Sequence, residues 1–467
     1  MSEQQPQNLS VGRNLKIGFF HLGSGMADVI ASGVWNRIMI TDLGFSATPV
    51  GLLVALRYFL APLGVWAGRV SDQRAIGGYR RLFWIWLGRA MMMISMATLG
   101  LATAQFARGS DQTALLWTVI TVSMLLFSLG NALSGSTFLA LIYDRTPEHQ
   151  RGRAVGLVWT FLLLGYTVAG FLFGVLLPRD TDHMAGIETL QFSPDTLQTL
   201  FLVAAVLLGS LWFFSLMGEE KRARAEMRGT TDAAPSEPRS SLRADLKLAW
   251  SSRSTRFFFW YLALSMMFAF SQDLILEPFA GDVFGMEARH TTRFAAYWGS
   301  MSILGTLLFL VLSRRFKWLT NTVMNYIGVG LLVATFALFA YSSFAVVRPL
   351  VTPGLILLGL GLGIWNVGTL GLMMDMSPFG RAGTFLGFWT LVVTMARGIG
   401  VSGGGILRDL MLGLTGDLSV SYGIVFALGA VGLVVALWML YHVKVGQHKA
   451  TTDQPAEAQT IFAGAMD

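Results

Sequence analysis

The chain has 467 residues, is 54% hydrophobic and 13% charged, and carries a formal net charge of +7 with a mean hydropathy of +0.57. A soluble protein of this length needs far more polar surface, and apolar runs at 115–143, 199–217, 321–344 and 422–441 reach the roughly 20 residues that cross a bilayer, which excludes a large soluble helical protein. Cysteine is absent, which removes disulfides and thiol chemistry, and the six histidines are scattered without metal-ligand spacing.

Residues 1–15 are polar and lack a signal-peptide pattern, so they read as a cytoplasmic N-terminal segment, with the first helix as the insertion signal. Hydropathy then predicts twelve spans near 16–40, 48–68, 82–104, 114–143, 154–177, 198–217, 256–281, 291–312, 321–344, 350–376, 384–412 and 420–442. When the loops are assigned alternately to the two sides, 24 of the 34 Lys and Arg residues fall on the side of the termini, 6 on the other and 4 within spans. That bias predicts both termini in the cytoplasm, and it accounts for the basic charge without nucleic acid.

The longest polar stretch, 218–255, separates a six-helix bundle over 16–217 from a second over 256–443. It reads as a flexible cytoplasmic linker that ends in an amphipathic helix, and residues 444–467 as a disordered cytoplasmic tail. Six spans, a linker and six spans is the plan of the major facilitator fold. An internal repeat supports it: Asp144 and Pro147 after span four match Asp375 and Pro378 after span ten. Trp159-Thr160 likewise matches Trp389-Thr390, spans five and eleven both end in Arg-Asp, and Asp28 of span one falls opposite Asp273 of span seven. Halves related in this way place a ligand site between them, near mid-membrane.

The loop "GRVSDQRAIGGYRR" resembles the major facilitator signature between spans two and three. Gly68, Asp72, Arg80 and Arg81 fit it, with two extra residues inserted after Asp72. In that reading Gly68 lets helix ends approach while Asp72 pairs with a cytoplasmic arginine. The loop "DRTPEHQRGRA", with Asp144, Arg145 and Arg151, resembles the matching signature after span four, and Asp375 and Arg381 hold the corresponding place after span ten. These motifs bear on fold and gating. Glycine runs such as "GLGLG" (359–363) and "SGGG" (402–405) lie in apolar helices without a preceding strand, so they indicate helix packing, or room for a flat ligand, and not phosphate loops.

Charges inside spans are costly unless paired or hydrated. Asp28, Arg57, Arg89, Asp273, Glu277 and Arg397 form this set. Asp273 and Glu277 share a helical face by their spacing, which allows ion pairing with Arg57 or Arg397, proton coupling or ligand coordination. His21, in span one, reads as a core histidine, with axial metal ligation as the alternative.

The stretch "GMADVIASGVWNRIMITDLG" (25–44) resembles the first span of the PucC/LhaA family, the bacteriochlorophyll delivery branch of the major facilitator superfamily, through Gly33, Asn36, Arg37, Met39, Ile40 and Leu43. "QDLILEPFAGDVFGM" (272–286) is similar to the family's span-seven signature, and the likeness extends across all twelve spans. The resemblance implies a light-harvesting assembly factor that binds bacteriochlorophyll or chlorophyll and hands it to antenna polypeptides. It implies a multi-pass protein of the inner or intracytoplasmic photosynthetic membrane, in contact with lipid and with pigment-synthesis or membrane-insertion proteins. Such a protein is no enzyme, holds no resident metal and needs no cofactor beyond the carried pigment. His21, Asn36, Asp28, Asp273 or Glu277 could supply the axial ligand to the pigment's magnesium. Arg37 belongs to the same pigment-binding or proton-coupling set. The alternative is a proton-coupled transporter of a small solute, with Asp28, Asp273 or Glu277 as proton carriers.

Overall fold

The computed structural model describes residues 10–147, 150–177, 194–220, 253–376 and 382–443, excepting the side chains of 151–153, 155 and 382–386. The expected linker helix, the C-terminal tail, Arg381 and the side chain of Arg151 lie outside the described residues.

The described residues are almost wholly helical, and up to twelve helices are long and apolar enough to cross a membrane. They are α1 (Val11–Asp42), α2 (Ala47–Gln73), α3 (Leu82–Ala107), α4 (Thr113–Arg145), α5 (Arg151–Leu176) and α6 (Pro194–Leu216). The second set is α7 (Arg253–Phe284), α8 (Ala288–Arg315), α9 (Asn321–Phe344), α10 (Arg348–Met376), α11 (Ala382–Thr415) and α12 (Leu418–Tyr441). Several helix starts carry their own caps. Ser10 accepts from the Arg13 amide, Thr320 from that of Val323, and Asp417 from those of Ser419 and Val420. The Ser419 hydroxyl and these amides hold the exposed Asp417 carboxyl below its usual range.

Three spans depart from straight α-helix where the sequence suggested simple rods. In α1, π-helical turns over Val29–Val34 and Ile38–Asp42 flank the short α segment Trp35–Arg37. In α2, Leu60 and Ala61 interrupt the helix before Pro62 restarts it, because proline lacks the amide that would continue the ladder. In α7, the chain breaks after Asp273 and restarts at Leu276, bending by 43°. The expectation that Asp273 and Glu277 occupy one continuous helical face is therefore corrected. The freed Leu274 carbonyl at the break accepts the Asn36 Nδ2 at 2.7 Å, so α1 satisfies what α7 leaves open.

Both described termini lie at one end of the bundle. At the start of α1, Lys16 Nζ donates to the Met217 carbonyl just beyond α6, at 2.6 Å, and Arg13 pairs with Glu219 at 2.7 Å. At the end of α12, His442 stacks on Phe257 near the start of α7, 4.9 Å between centroids. At the opposite end, α1 and α2 meet α7 and α11.

Glycines serve backbone contact between helices. A Cβ on Gly165 would strike the Leu22 carbonyl of α1, and one on Gly400 would strike the Met267 carbonyl of α7. The space beside Gly359 and Gly363 is filled by backbone of α8, which leaves no room there for a flat ligand. Gly403, by contrast, has nothing within 4 Å of its Cβ position. Gly400→Ala should cost about 1–3 kcal/mol through forced separation of α7 and α11, whereas Gly403→Ala should stay within ~1 kcal/mol of the parent. Thermal unfolding in detergent checks this: the melting midpoint falls for Gly400→Ala only.

Candidate functional site

Between the two sets of helices lies a cavity of about 270 Å³, lined from both sides. Its aromatic wall comprises Trp159 and Tyr166 from α5, Phe270 from α7, Trp298 from α8, Trp365 from α10 and Trp389 from α11. The repeat-related Trp159 and Trp389 thus stand on opposite halves of one chamber.

The polar lining is a chain of charges that crosses the interface. Asp28 Oδ1 pairs with Arg57 Nη1 at 3.0 Å, and its Oδ2 accepts the Tyr166 hydroxyl at 2.9 Å. Asp273 Oδ2 pairs with Arg397 Nη2 at 2.8 Å, and its Oδ1 accepts Gln272 Nε2 at 2.7 Å. The Tyr58 ring lies between the two arginines, 4.8 Å from the Arg57 guanidinium carbon and 4.9 Å from that of Arg397. Arg397 also lies 3.8 Å from the Phe270 ring centroid. Two opposite charges on each half therefore neutralise each other, and an aromatic ring joins the pairs.

Glu277 stands apart. It lines the cavity and retains only 7% exposure, and its Oε2 has no hydrogen-bond partner among the described residues. Its Oε1 would lie 3.3 Å from a Cβ on Gly33, which also lines the cavity.

Asn36 and Arg37 are not in the cavity lining. Asn36 is fully buried, donating to Leu274 and accepting the Arg37 amide at 2.7 Å. Arg37 pairs with Asp42 at 2.8 Å and donates to the Met286 carbonyl at 3.0 Å, reaching across from α1 to the end of α7. Nearby, Asp282 holds Arg408 at 2.9 Å and the Tyr422 hydroxyl at 2.6 Å, while Asp409 accepts the Ala47 and Thr48 amides at 3.1 and 2.7 Å. The Arg37–Met286 and Asp409–Ala47/Thr48 contacts join the halves at the end away from the termini, and Asp282 ties α7, α11 and α12 within the second set beside them. His21 is packed 5.0 Å from Phe138 and 5.9 Å from Trp159, behind the cavity wall. Arg89, only 4% exposed, lies over the Phe20 and Trp212 rings at 4.4 and 4.7 Å, inside the first set of helices.

The loop motifs lie at the terminal end. Arg81 pairs with Asp72, meets Asp144 at 2.9 Å and donates to the Ser71 hydroxyl at 2.6 Å, tying α2, α3 and α4. Arg80 donates to the Asp72 carbonyl, and its own amide meets Glu220 at 2.6 Å. Arg145 is half-buried in the last turn of α4. Gly68 departs from its expected role: nothing lies within 4 Å of its Cβ position, and its carbonyl instead accepts the Ser71 hydroxyl at 2.7 Å. On the other half, Asp375 at the end of α10 accepts from Asn321 at the start of α9, at 2.9 Å, the same placement as Asp144 and Arg81.

Sequence reasoning missed Tyr58, Tyr166, Trp298 and Trp365 as lining or bridging groups, because single aromatics in apolar helices carry no signal of which side they face. The Trp159–Trp389 repeat was the one available hint.

Two six-helix sets around a central chamber are the architecture of the major facilitator fold. A solved bacterial homologue of the human lysosomal transporter Spinster, inward-facing and unoccupied, superposes with a TM-score of 0.64 over 99% of each chain at 16% identity. At that identity the likeness concerns the fold. The PUCC protein family matches residues 34–448, and the chain belongs to it. "Protein PucC" of Rhodovulum sulfidophilum is 29% identical over 420 residues, covering 87% of each chain. A Rhodobacter capsulatus protein named "Bacteriochlorophyll synthase 44.5 kDa chain" is 29% identical over 430 residues, 91% of this chain and 93% of that one.

The Asp273–Arg397 pair is testable as a structural element. Arg397→Leu should destabilise by about 1–3 kcal/mol, below the roughly 3–5 of a fully buried pair because the side chains keep 29% and 16% exposure. Adding Asp273→Leu to Arg397→Leu should recover much of the loss, and a double-mutant cycle of detergent melting midpoints measures the coupling.

Proposed function

We propose that this protein binds bacteriochlorophyll or chlorophyll in the photosynthetic membrane and delivers it to light-harvesting antenna polypeptides. The observation that carries the reading is the cavity between the halves, with four tryptophans in its lining and its aspartates already paired with arginines. Such a chamber suits a flat, apolar, electrically neutral ring better than a hydrated polar solute. Membership of the PUCC family, and the pigment in the printed name of one relative, agree with it. The protein then acts as a carrier: its residues bind and orient the pigment, and the bond chemistry of pigment synthesis belongs to other proteins. Both termini face the cytoplasm in this reading, with the clamped end of the bundle on the other side.

Purification in mild detergent from a bacteriochlorophyll-producing host should yield chlorin absorbance that co-elutes with the chain. Deleting the gene in that host should lower the antenna level. Trp159→Ala and Trp389→Ala should each cut the pigment recovered by about threefold to tenfold, the loss expected from one aromatic contact. Pigment-free wild-type protein together with normal antenna levels in the deletion strain would overturn the proposal.

A further inference from the structure

The polar atoms that face or flank the cavity differ in whether they are already used. Both oxygens of Asp28 accept hydrogen bonds, from Arg57 and Tyr166, and both of Asp273 do so, from Arg397 and Gln272. Asn36 uses its amide nitrogen on Leu274 and its oxygen on the Arg37 amide, and His21 sits behind Trp159. Glu277 alone among these carboxylates presents a buried oxygen, Oε2, without a partner. A carboxylate held at 7% exposure inside a membrane bundle is costly until something of positive character meets it.

The geometry points to the Glu277 carboxylate as the protein ligand of the magnesium in the carried chlorin, an inference that rests on the pigment reading above. A chlorin's magnesium is held by four ring nitrogens and takes one further ligand, for which a hard oxygen donor suits this metal. A lone pair of the Glu277 carboxylate would fill that position, with no proton or electron transferred, and the metal would supply positive charge to the buried carboxylate. One donor is enough. Glu277 lines the chamber as a residue, opposite Gly33 of α1, where a Cβ would sit 3.3 Å from Oε1. Asn366 also lines the cavity, but it is exposed there and open to solvent.

The test compares bacteriochlorophyll with its magnesium-free counterpart, bacteriopheophytin, binding to purified full-length protein by fluorescence quenching. Wild type should bind the magnesium pigment at least tenfold more tightly. Glu277→Leu should lose that preference while its bacteriopheophytin affinity stays within about twofold of wild type. Glu277→His, which offers a neutral nitrogen donor, should keep the preference and shift the red absorption band. Gel filtration of each variant reports folding, and should Glu277→Leu fail to fold, Glu277→His and Glu277→Gln carry the comparison through the band position and the preference ratio. Wild type that binds both pigments equally, or a preference that survives in Glu277→Leu or disappears in Asn366→Leu instead, overturns the assignment of Glu277 while the pigment reading stands. Wild type that binds neither pigment overturns both.

Discussion

Charge inside a bilayer needs a partner, and the interior of this protein is organised around that need. Tyr166, Asp28, Arg57, Tyr58, Arg397, Asp273 and Gln272 form one continuous chain of contacts from α5 to α7. Each carboxylate meets a guanidinium within 3.0 Å, and both guanidinium groups lie against the Tyr58 ring. Within this chain the Tyr58–Arg397 contact crosses the boundary between the two sets of helices, so their separation at this depth would break it and leave each ion pair intact in its own half. The break in α7 follows from the same arrangement. Restarting the helix at Leu276 swings Glu277 onto the chamber beside Asp273, and the carbonyl exposed by the break is met by Asn36 from the irregular stretch of α1.

The internal repeat is visible as paired roles whose chemistry has diverged. Asp28 on α1 is met from α5 by a hydroxyl, whereas Asp273 on α7 is met from α11 by a guanidinium. Asp144 is held by Arg81, and Asp375 by Asn321. Within the first set, Arg89 is covered by the Phe20 and Trp212 rings, while the second set carries a neutral network of Tyr261, Asn325, Thr369 and Trp365. Duplication supplies the positions, and local substitution then sets a different electrostatic character in each half.

Much of the fold was legible in the sequence. Twenty-residue apolar runs are a direct consequence of bilayer thickness, and the described helices extend the expected spans by only a few residues at most ends. The repeat brought Asp28 and Asp273 into correspondence, and the structure places both on one cavity. Hydropathy could not register the break in α7 or the π turns of α1, since Leu274, Ile275 and the residues of 29–34 are as apolar in a kink as in a rod. The strings at 25–44 and 272–286 read as two family signatures, and the residues of each divide between two tasks. Asn36, Arg37 and Asp282 close the far end, while Asp28, Asp273 and Glu277 face the chamber. That division depends on which way each side chain turns after an irregular backbone, which spacing alone does not encode. Gly68 shows the reverse error: a motif position can match while the packing it was expected to serve is absent.

The electrical balance of the chamber has a consequence for what it can hold. A carrier for a polar solute needs free donors and acceptors to replace the water that the solute gives up. Here the arginines and aspartates are committed to each other, Thr369 is bonded to Asn325, and the Trp365 indole nitrogen donates to Tyr261 at 3.0 Å. What remains is ring surface, the exposed Asn366 amide and the buried Glu277 carboxylate. That surface is what the pigment reading above draws on, through ring faces and one buried carboxylate. The charges therefore neutralise each other within each half and leave the aromatic walls as the larger part of the chamber's surface.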